Sequence, residues 1–497
     1  MATTRREFLR NTACGTLSAV ALVQGVEKLF LTNALAQPIS NTDYKALVCV
    51  FLFGGNDANN IVVPYTTYDD VYGPIRGPGV GLAIQKDNLL QITPPSDPSG
   101  NVYGLHPALG NDPTYGGLYN LWNQGKAAIA VNTGTMIDPS TTKDQLRAGI
   151  NRPYQLFSHS DQQSANQSSQ STGPSPTGWG GRIADRLRGS QTFPVCTSLS
   201  GVQAFTQGFL TRPLIANPAP TRIDQLLVIN RDFGPSENPI NQIVALDRGG
   251  GNFELVQAAA QVSQDSLDIR DALRMAGDPT LAATFPNTGL GNQLKQVAKL
   301  IKTSQTFLPG VSRQVFFVSM GGFDTHNNQG TEAGNQANLW VQVSQAMAAF
   351  YQATVELGVS SNVTQFTISD FSRTLKPANP GTGVGSDHAW GSHHFVVGDA
   401  VNGGDFFGTY PDLTLGGDSD YDAGSGSRGR WIPTQSVDQY AFTLANWYGL
   451  QSADVPLVFP NLYRYSNPDL RFMQAPAGGG CGMSAGNNKG SLFKTNL

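Results

Sequence analysis

Four stretches of the chain are apolar without alternation, and each ends abruptly in glycine or polar residues. Ala46-Leu-Val-Cys-Val-Phe-Leu-Phe53 runs into Gly54-Gly-Asn-Asp57, and Ala127-Ala-Ile-Ala-Val-Asn132 opens a long polar segment. Gln314-Val-Phe-Phe-Val-Ser319 leads to Gly321-Gly-Phe-Asp-Thr-His326, and Val363-Thr-Gln-Phe-Thr-Ile368 leads to Ser369-Asp-Phe-Ser-Arg-Thr374. Continuous apolar runs of this length, rich in β-branched and aromatic residues, predict strands covered on both faces. Helical patterns fall between them: residues 118–124, closed by Gly125, then 183–187, 253–275, 294–301, 337–357 and 437–448. Thr434 or Ser436 is the expected cap of the last. Strand, helix, strand in alternation predicts an α/β fold: a mostly parallel sheet, crossover helices on both faces. Shorter strands are expected at 193–199 and 395–397. Residues 200–290, with helical patterns and Gly/Pro breaks, are expected to be an insertion or cap within one domain spanning 37–475. No internal repeat is evident. The polar segment 133–180 holds a Ser/Gln run, Gln162 to Ser171, that alone reads as disorder. Ser158 and His159 just ahead of it point instead to a lid or binding loop.

The N-terminus reads differently from the rest. Thr4-Arg-Arg-Glu-Phe-Leu-Arg10, a modest apolar stretch and Ala34-Leu-Ala36 form a twin-arginine leader with a small-residue cleavage site, so residues 1–36 are expected to be removed on export to the periplasm or beyond. Cys14 precedes the apolar region, which disfavours a lipoprotein anchor. No later run reaches the ~18 apolar residues of a membrane span, so no membrane segment is expected in the mature chain. Residues 476–497 are Gly/Ser/Asn-rich and expected to be a loose tail.

The 497 residues suffice for one large domain or a few ordinary ones. Charged residues make up 14% and the net charge is −4, with no basic run, which speaks against a nucleic-acid partner. Cleavage would leave Cys49, Cys196 and Cys481, an odd number and a poor disulfide framework. Cys49 is expected to be a small buried hydrophobe.

Chemistry concentrates after the third and fourth apolar runs. Four of the six histidines fall between residues 326 and 394. Acidic residues and imidazoles just past strand ends are where open α/β sheets build sites. Asp324 with His326, and Asp387 with His388, have the donor types that bind a divalent metal. Asp57, Asp324, Asp370 and Asp387 would repel one another if crowded without a cation. His326, His388 and His393 would stand beside them as neutral donors. One or two divalent ions, Zn²⁺, Mn²⁺, Mg²⁺ or Ca²⁺, are therefore expected.

These motifs, from residue 4 to about 464, resemble the bacterial family known as domain of unknown function 1501. Its pattern comprises the twin-arginine leader, Gly-Gly-Asn-Asp57, Leu-His-Pro107, Ser158-His159 followed by Thr177-Gly-Trp179, Asp324-Thr-His326, an Arg373-Thr element, Asp387-His388 and Val437-Asp-Gln-Tyr440. The chain departs from it with Asp370 for a Glu, Ser372 for a Gly, and Ala389 for the Gly after Asp-His. That family is distantly similar to the alkaline phosphatase and sulfatase superfamily. The resemblance implies a metal-assisted hydrolase of phosphate or sulfate esters, with an anionic ester as substrate. By the same resemblance Asp57 matches the first metal carboxylate, and Asp324 with His326 the middle pair. Either Asp370 or Asp387/His388 matches the late pair. Ser158 falls where the nucleophile belongs, with His159 beside it, and Arg373 is expected either to contact an oxyanion through its fork or to pair with one of the aspartates. The alternative is a non-catalytic envelope protein that keeps the fold for binding or assembly. The oligomeric state is not legible.

Overall fold

In the computed structural model the described residues are 44–475, apart from 78–80, 190, 192, 228–253, 309, 379–380 and 382. The leader, Cys14, Cys481 and the tail lie outside them, as does part of the 200–290 segment. Nine strands make the main sheet: β1 (Lys45–Leu52), β2 (Ala127–Gly134), β3 (Cys196–Ser198), β4 (Leu214–Ile215), β5 (Arg313–Met320), β6 (Val363–Ser369), β7 (Ser392–Val397), β8 (Phe406–Phe407) and β9 (Gln435–Ser436). Their order is β8-β2-β7-β6-β1-β5-β3-β4, with β9 also on β2.

β1 is the central strand, parallel to β5 on one side and β6 on the other. All eight of its residues are buried, as a doubly covered strand requires. Ala46, Val48, Val50 and Leu52 face one layer with α5 (Gly289–Phe307) and α6 (Asn335–Glu356). Leu47, Cys49 and Phe51 face the other, with α3 (Trp179–Leu187) and α7 (Val437–Tyr448). Side chains alternate across a strand, so one run feeds two cores. Each such residue fully buried contributes ~1.5–3 kcal/mol. Cys49 and Cys196 are buried free thiols within the second layer.

The α/β class and the mostly parallel sheet match the sequence reading, with two differences. β2 runs in the same direction as β6 but is not its neighbour. β7 lies between them, antiparallel to both. The chain leaving β6 stays at the C-terminal edge through residues 370–391 and turns straight back, a pairing that needs no crossover. The Ser/Gln run is the second difference: it forms helix α2 (His159–Ser168). Its amides are committed to the fold. Gln162 accepts from Thr135 Oγ1 at 2.7 Å and donates to the Tyr154 carbonyl at 2.8 Å. Gln167 accepts from the Phe205 amide at 3.0 Å. A polar run is ordered when its groups satisfy buried backbone.

Ser436 caps α7 with a full capping box. Asp438 in its first turn is wholly buried. Burial pushes its carboxyl up to about 6, against the lowering effect of Ser169, Ser436 and Arg182. Between the ordinary carboxylate pKa and 6 the folded state holds the extra proton, so stability falls as pH rises through that window. The expected fall is ~3 kcal/mol, at about 1.36 kcal/mol for each tenfold change in proton affinity. Asp438→Asn should remove that part of the change. Urea unfolding of both proteins at pH 4 and pH 7 checks it, and an unchanged pH difference in the variant would refute it.

Candidate metal centre

Three loops meet over the C-terminal edge of β1, β5 and β6, and glycine permits the closeness. At Gly54, with φ +114°, a Cβ would stand 2.4 Å from the Asp324 amide nitrogen. At Gly385 it would stand 2.2 Å from the His326 carbonyl. Neither position has room for any side chain.

Asp324, in the loop after β5, is the centre of the cluster. Its Oδ1 lies 3.1 Å from His326 Nε2 and 3.4 Å from His388 Nε2. The same oxygen accepts from Arg373 Nη1 at 2.7 Å. Its Oδ2 lies 3.4 Å from Nε2 of His159, the first residue of α2. The Nε2 atoms of His326 and His388 are 3.0 Å apart. The opposite nitrogen of each ring meets an oxygen. His159 Nδ1 is 2.7 Å from Asp370 Oδ2, His326 Nδ1 is 3.1 Å from Asp387 Oδ1, and His388 Nδ1 is 2.8 Å from the Phe157 carbonyl. The Phe157 carbonyl and the Asp370 carboxylate accept, which places a proton on Nδ1 of His388 and of His159; His326 has a carboxylate oxygen 3.1 Å from each nitrogen, and the Nε2 atoms of all three rings converge on Asp324.

The electrostatics agree for two of the rings. Burial, reinforced by the Arg373 charge, lowers the pKa values of His326 and His388, which leaves both neutral near pH 7. His159 moves the other way: its hydrogen bond to Asp370 raises it, against burial. Burial tends to raise Asp324, but the Arg373 hydrogen bond and charge more than offset it and the carboxyl ends below its usual value.

The residues singled out from sequence divide into three groups. Asp324, His326, His388 and His159 come together. Asp370 and Asp387 stand behind two of the imidazoles. Asp57 and His393 are placed elsewhere. Asp57 is buried in an ion pair with Arg76 at 2.6 Å, with Gln329 as a further donor. His393 is buried on β7, where its Nδ1 accepts from the Asn132 amide at 3.0 Å and burial pushes it down to about 3. Arg373 is fully buried and is also bonded to the Ser386 carbonyl. Ser158, the N-cap of α2, donates from Oγ to Asp161 Oδ2 at 2.6 Å.

The crowded carboxylates from which an ion is expected also have partners within the protein. Arg76 answers Asp57, Arg373 answers Asp324, and Arg428 answers Asp387. Asp370 Oδ2 accepts from the Gly54 amide at 3.2 Å and Gln163 Nε2 at 2.9 Å, besides His159. Three of the four carboxylates face an arginine, and Asp370 has hydrogen-bond donors without one. The case for an ion lies in the donors. Around one ion with bonds of ~2.0–2.2 Å, ligand atoms lie ~3–3.5 Å apart, and the Asp324, His326 and His388 atoms do. His159, Asp324 and His388 also offer atoms within 4.8 Å of one another. Two imidazole lone pairs facing at 3.0 Å repel unless a proton or a cation sits between them. The donor set therefore fits a divalent ion.

Sequence reasoning missed Gln163, Asn166 and Arg76. The first two carried a signal: they follow His159 by four and seven residues, one face of a helix.

The fold and cluster define an α/β protein with a His/Asp centre at the C-terminal edge of its sheet. A family model described as a protein of unknown function, DUF1501, matches residues 104–419, well over half of the chain. The chain belongs to that family. No curated protein matches it. Among solved structures it is similar to wild-type alkaline phosphatase PafA, with 13% identity over 68% of this chain and 64% of that one and a TM-score of 0.25. It thus spans less than two thirds of PafA. It is also similar to PsFucS1 sulfatase from Pseudoalteromonas sp., with 12% identity over 85% of this chain and 74% of that one and a TM-score of 0.27. A TAB5 alkaline phosphatase mutant with Mg bound in its M3 site shows 10% identity over 72% and 92%, with a TM-score of 0.20. TM-scores of this size leave the reading of the site to its own geometry.

Asp57 and Arg76 test the division of the carboxylates. Arg76→Met would strand a buried charge, and unfolding free energy should fall by ~3–5 kcal/mol. Denaturant unfolding with and without excess Zn²⁺ measures it. Recovery of full stability with Zn²⁺ would put Asp57 back among metal ligands.

Proposed function

We propose that the chain is an exported, metal-dependent hydrolase of phosphate or sulfate esters. The observation that supports this best is the convergence of three imidazole Nε2 atoms on the Asp324 carboxylate, each ring held from behind through Nδ1. Asp324, His326 and His388 would hold the ion, with His159 as a further ligand. A donor set dominated by imidazole suits Zn²⁺ or Mn²⁺ better than Mg²⁺ or Ca²⁺. A divalent ion bound there supplies Lewis-acid polarisation of an ester oxygen and neutralises charge developing on it.

The chain's own groups set up the rest. Asp370, Asp387 and the Phe157 carbonyl fix the ring orientations and tautomers. Arg373 holds Asp324 in place from beneath. Ser158 is the candidate nucleophile, and Asp161, 2.6 Å from its hydroxyl, is the group placed to accept its proton. Export rests on the paired Arg5-Arg6 of the leader. No helix among the described residues is long and apolar enough to cross a membrane.

A second reading is a non-catalytic envelope protein that keeps the fold for binding or assembly. The burial of Arg373 favours it. That guanidinium is 0% exposed and bonded to Asp324, which takes it out of reach of an ester oxyanion.

Two measurements separate the readings. Protein purified without chelator should contain a divalent metal by elemental analysis, and EDTA should lower its Tm by about 3–5 °C, reversibly on re-addition. Asp324→Asn and His388→Ala should each weaken metal retention. Aryl phosphate or sulfate turnover that requires the ion and is lost in Ser158→Ala supports the hydrolase. Metal retention without turnover on either ester class supports the binding protein. Metal-free protein with an EDTA-insensitive Tm sinks the metal centre.

A further inference from the structure

We propose that Gln163 is a positioning residue for the metal centre, acting on His159 through Asp370. The inference rests on the metal-dependent reading above. His159, Gln163 and Asn166 lie along one face of α2, and all three bond to Asp370. His159 Nδ1 and Gln163 Nε2 both reach Oδ2, at 2.7 and 2.9 Å, while Asn166 Nδ2 reaches the main-chain carbonyl at 2.9 Å. The carboxylate is bonded unevenly. Oδ2 takes the His159, Gln163 and Gly54 donors, and Oδ1 is buried with no hydrogen-bond partner.

A carboxylate can exchange its oxygens by rotating about Cβ–Cγ. Donors concentrated on one oxygen stop that rotation. Two are indispensable to other jobs: the Gly54 amide is part of the β1 turn, and His159 is the group to be oriented. Gln163 is the donor whose side chain has no other bond among the described residues. It is partly exposed and caps no helix end. Holding a long, flexible side chain in one rotamer costs conformational freedom. Here that cost is matched by a fixed Asp370 plane, which sets the His159 ring so that Nε2, itself buried without a hydrogen-bond partner, faces Asp324. A carboxylate behind a ligating imidazole fixes both tautomer and direction, and losing such support typically costs about 10–100-fold in metal affinity.

The test is Co²⁺ titration of metal-stripped wild type, Gln163→Met and Gln163→Ala. Met keeps the length of Gln without its donor, and Ala cannot clash. Three readouts are followed: the Co²⁺ dissociation constant, the visible absorption of the bound ion, and the Tm of the metal-free protein. The expected result is affinity weaker by ~10–100-fold in both variants, with altered absorption and a metal-free Tm equal to wild type. A merely structural glutamine would move the metal-free Tm and leave the spectrum unchanged, which would overturn the inference. Variants that bind Co²⁺ as wild type does would overturn it too, with the metal reading intact. Wild type that binds no Co²⁺ at about 1 mM, far above the dissociation constant of any working site (~10⁻⁶ M or below), would remove the metal reading and the inference together.

Discussion

A carboxylate buried at the end of a central strand has to be satisfied, and the way Asp370 is satisfied arranges everything around it. Its side chain is 0% exposed. Leaving such a group unpaired would cost several kcal/mol. The donors come from separate parts of the chain: the Gly54 amide at the end of β1, and His159 and Gln163 from α2. The Gly54 bond closes the β1 turn, and the His159 bond, with Asn166 on the Asp370 carbonyl, ties α2 to the sheet edge. That tie also delivers His159 to the loop that carries Asp324. The packing of β1 between β5 and β6 buries the core, and Asp370 links the β1 turn to α2.

Asp324 and Asp387 are each matched by an arginine, which changes what an ion would contribute. With Arg373 on Asp324 and Arg428 on Asp387, a bound cation is not needed to hold negative charge together. It would instead replace protons on nitrogen. His326 and His388 are already disposed to be neutral by burial, so they lose nothing when they ligate. His159 is disposed to hold its proton because of Asp370, and ligation there competes with that proton.

Much of this was legible in the chain. Doubly buried strands announce themselves as unbroken apolar runs, and the turns after Phe53, Ser319 and Ile368 placed Asp57, Asp324 and Asp370 on one edge. The Asp324/His326 and Asp387/His388 pairs stood out because imidazole is scarce here. Sequence could not tell which carboxylates face imidazoles and which face arginines. Arg76 reaches Asp57 from a short helix across a loop, and no spacing rule connects them. His393 looked like a donor beside His388, yet it lies inside β7, where both faces of the strand are buried. The α2 helix was hidden because its amides satisfy groups remote in sequence, so composition alone resembled disorder.

The candidate ligand atoms come from α2, from the loop after β5 and from the loop between β6 and β7, segments that meet only when the sheet is complete. The cluster nevertheless holds its shape through protein contacts: Arg373 fixes Asp324, and three acceptors fix three rings. A small zinc domain without its ion is unfolded, because the ion supplies the folding energy. Here two apolar layers supply it and the site is held ready. An ion bound there would load after folding, entering a preformed site whose Asp324 side chain is 43% exposed. A site of that kind can stay assembled while empty, because Arg373 and the three acceptors do the holding that an ion would otherwise do.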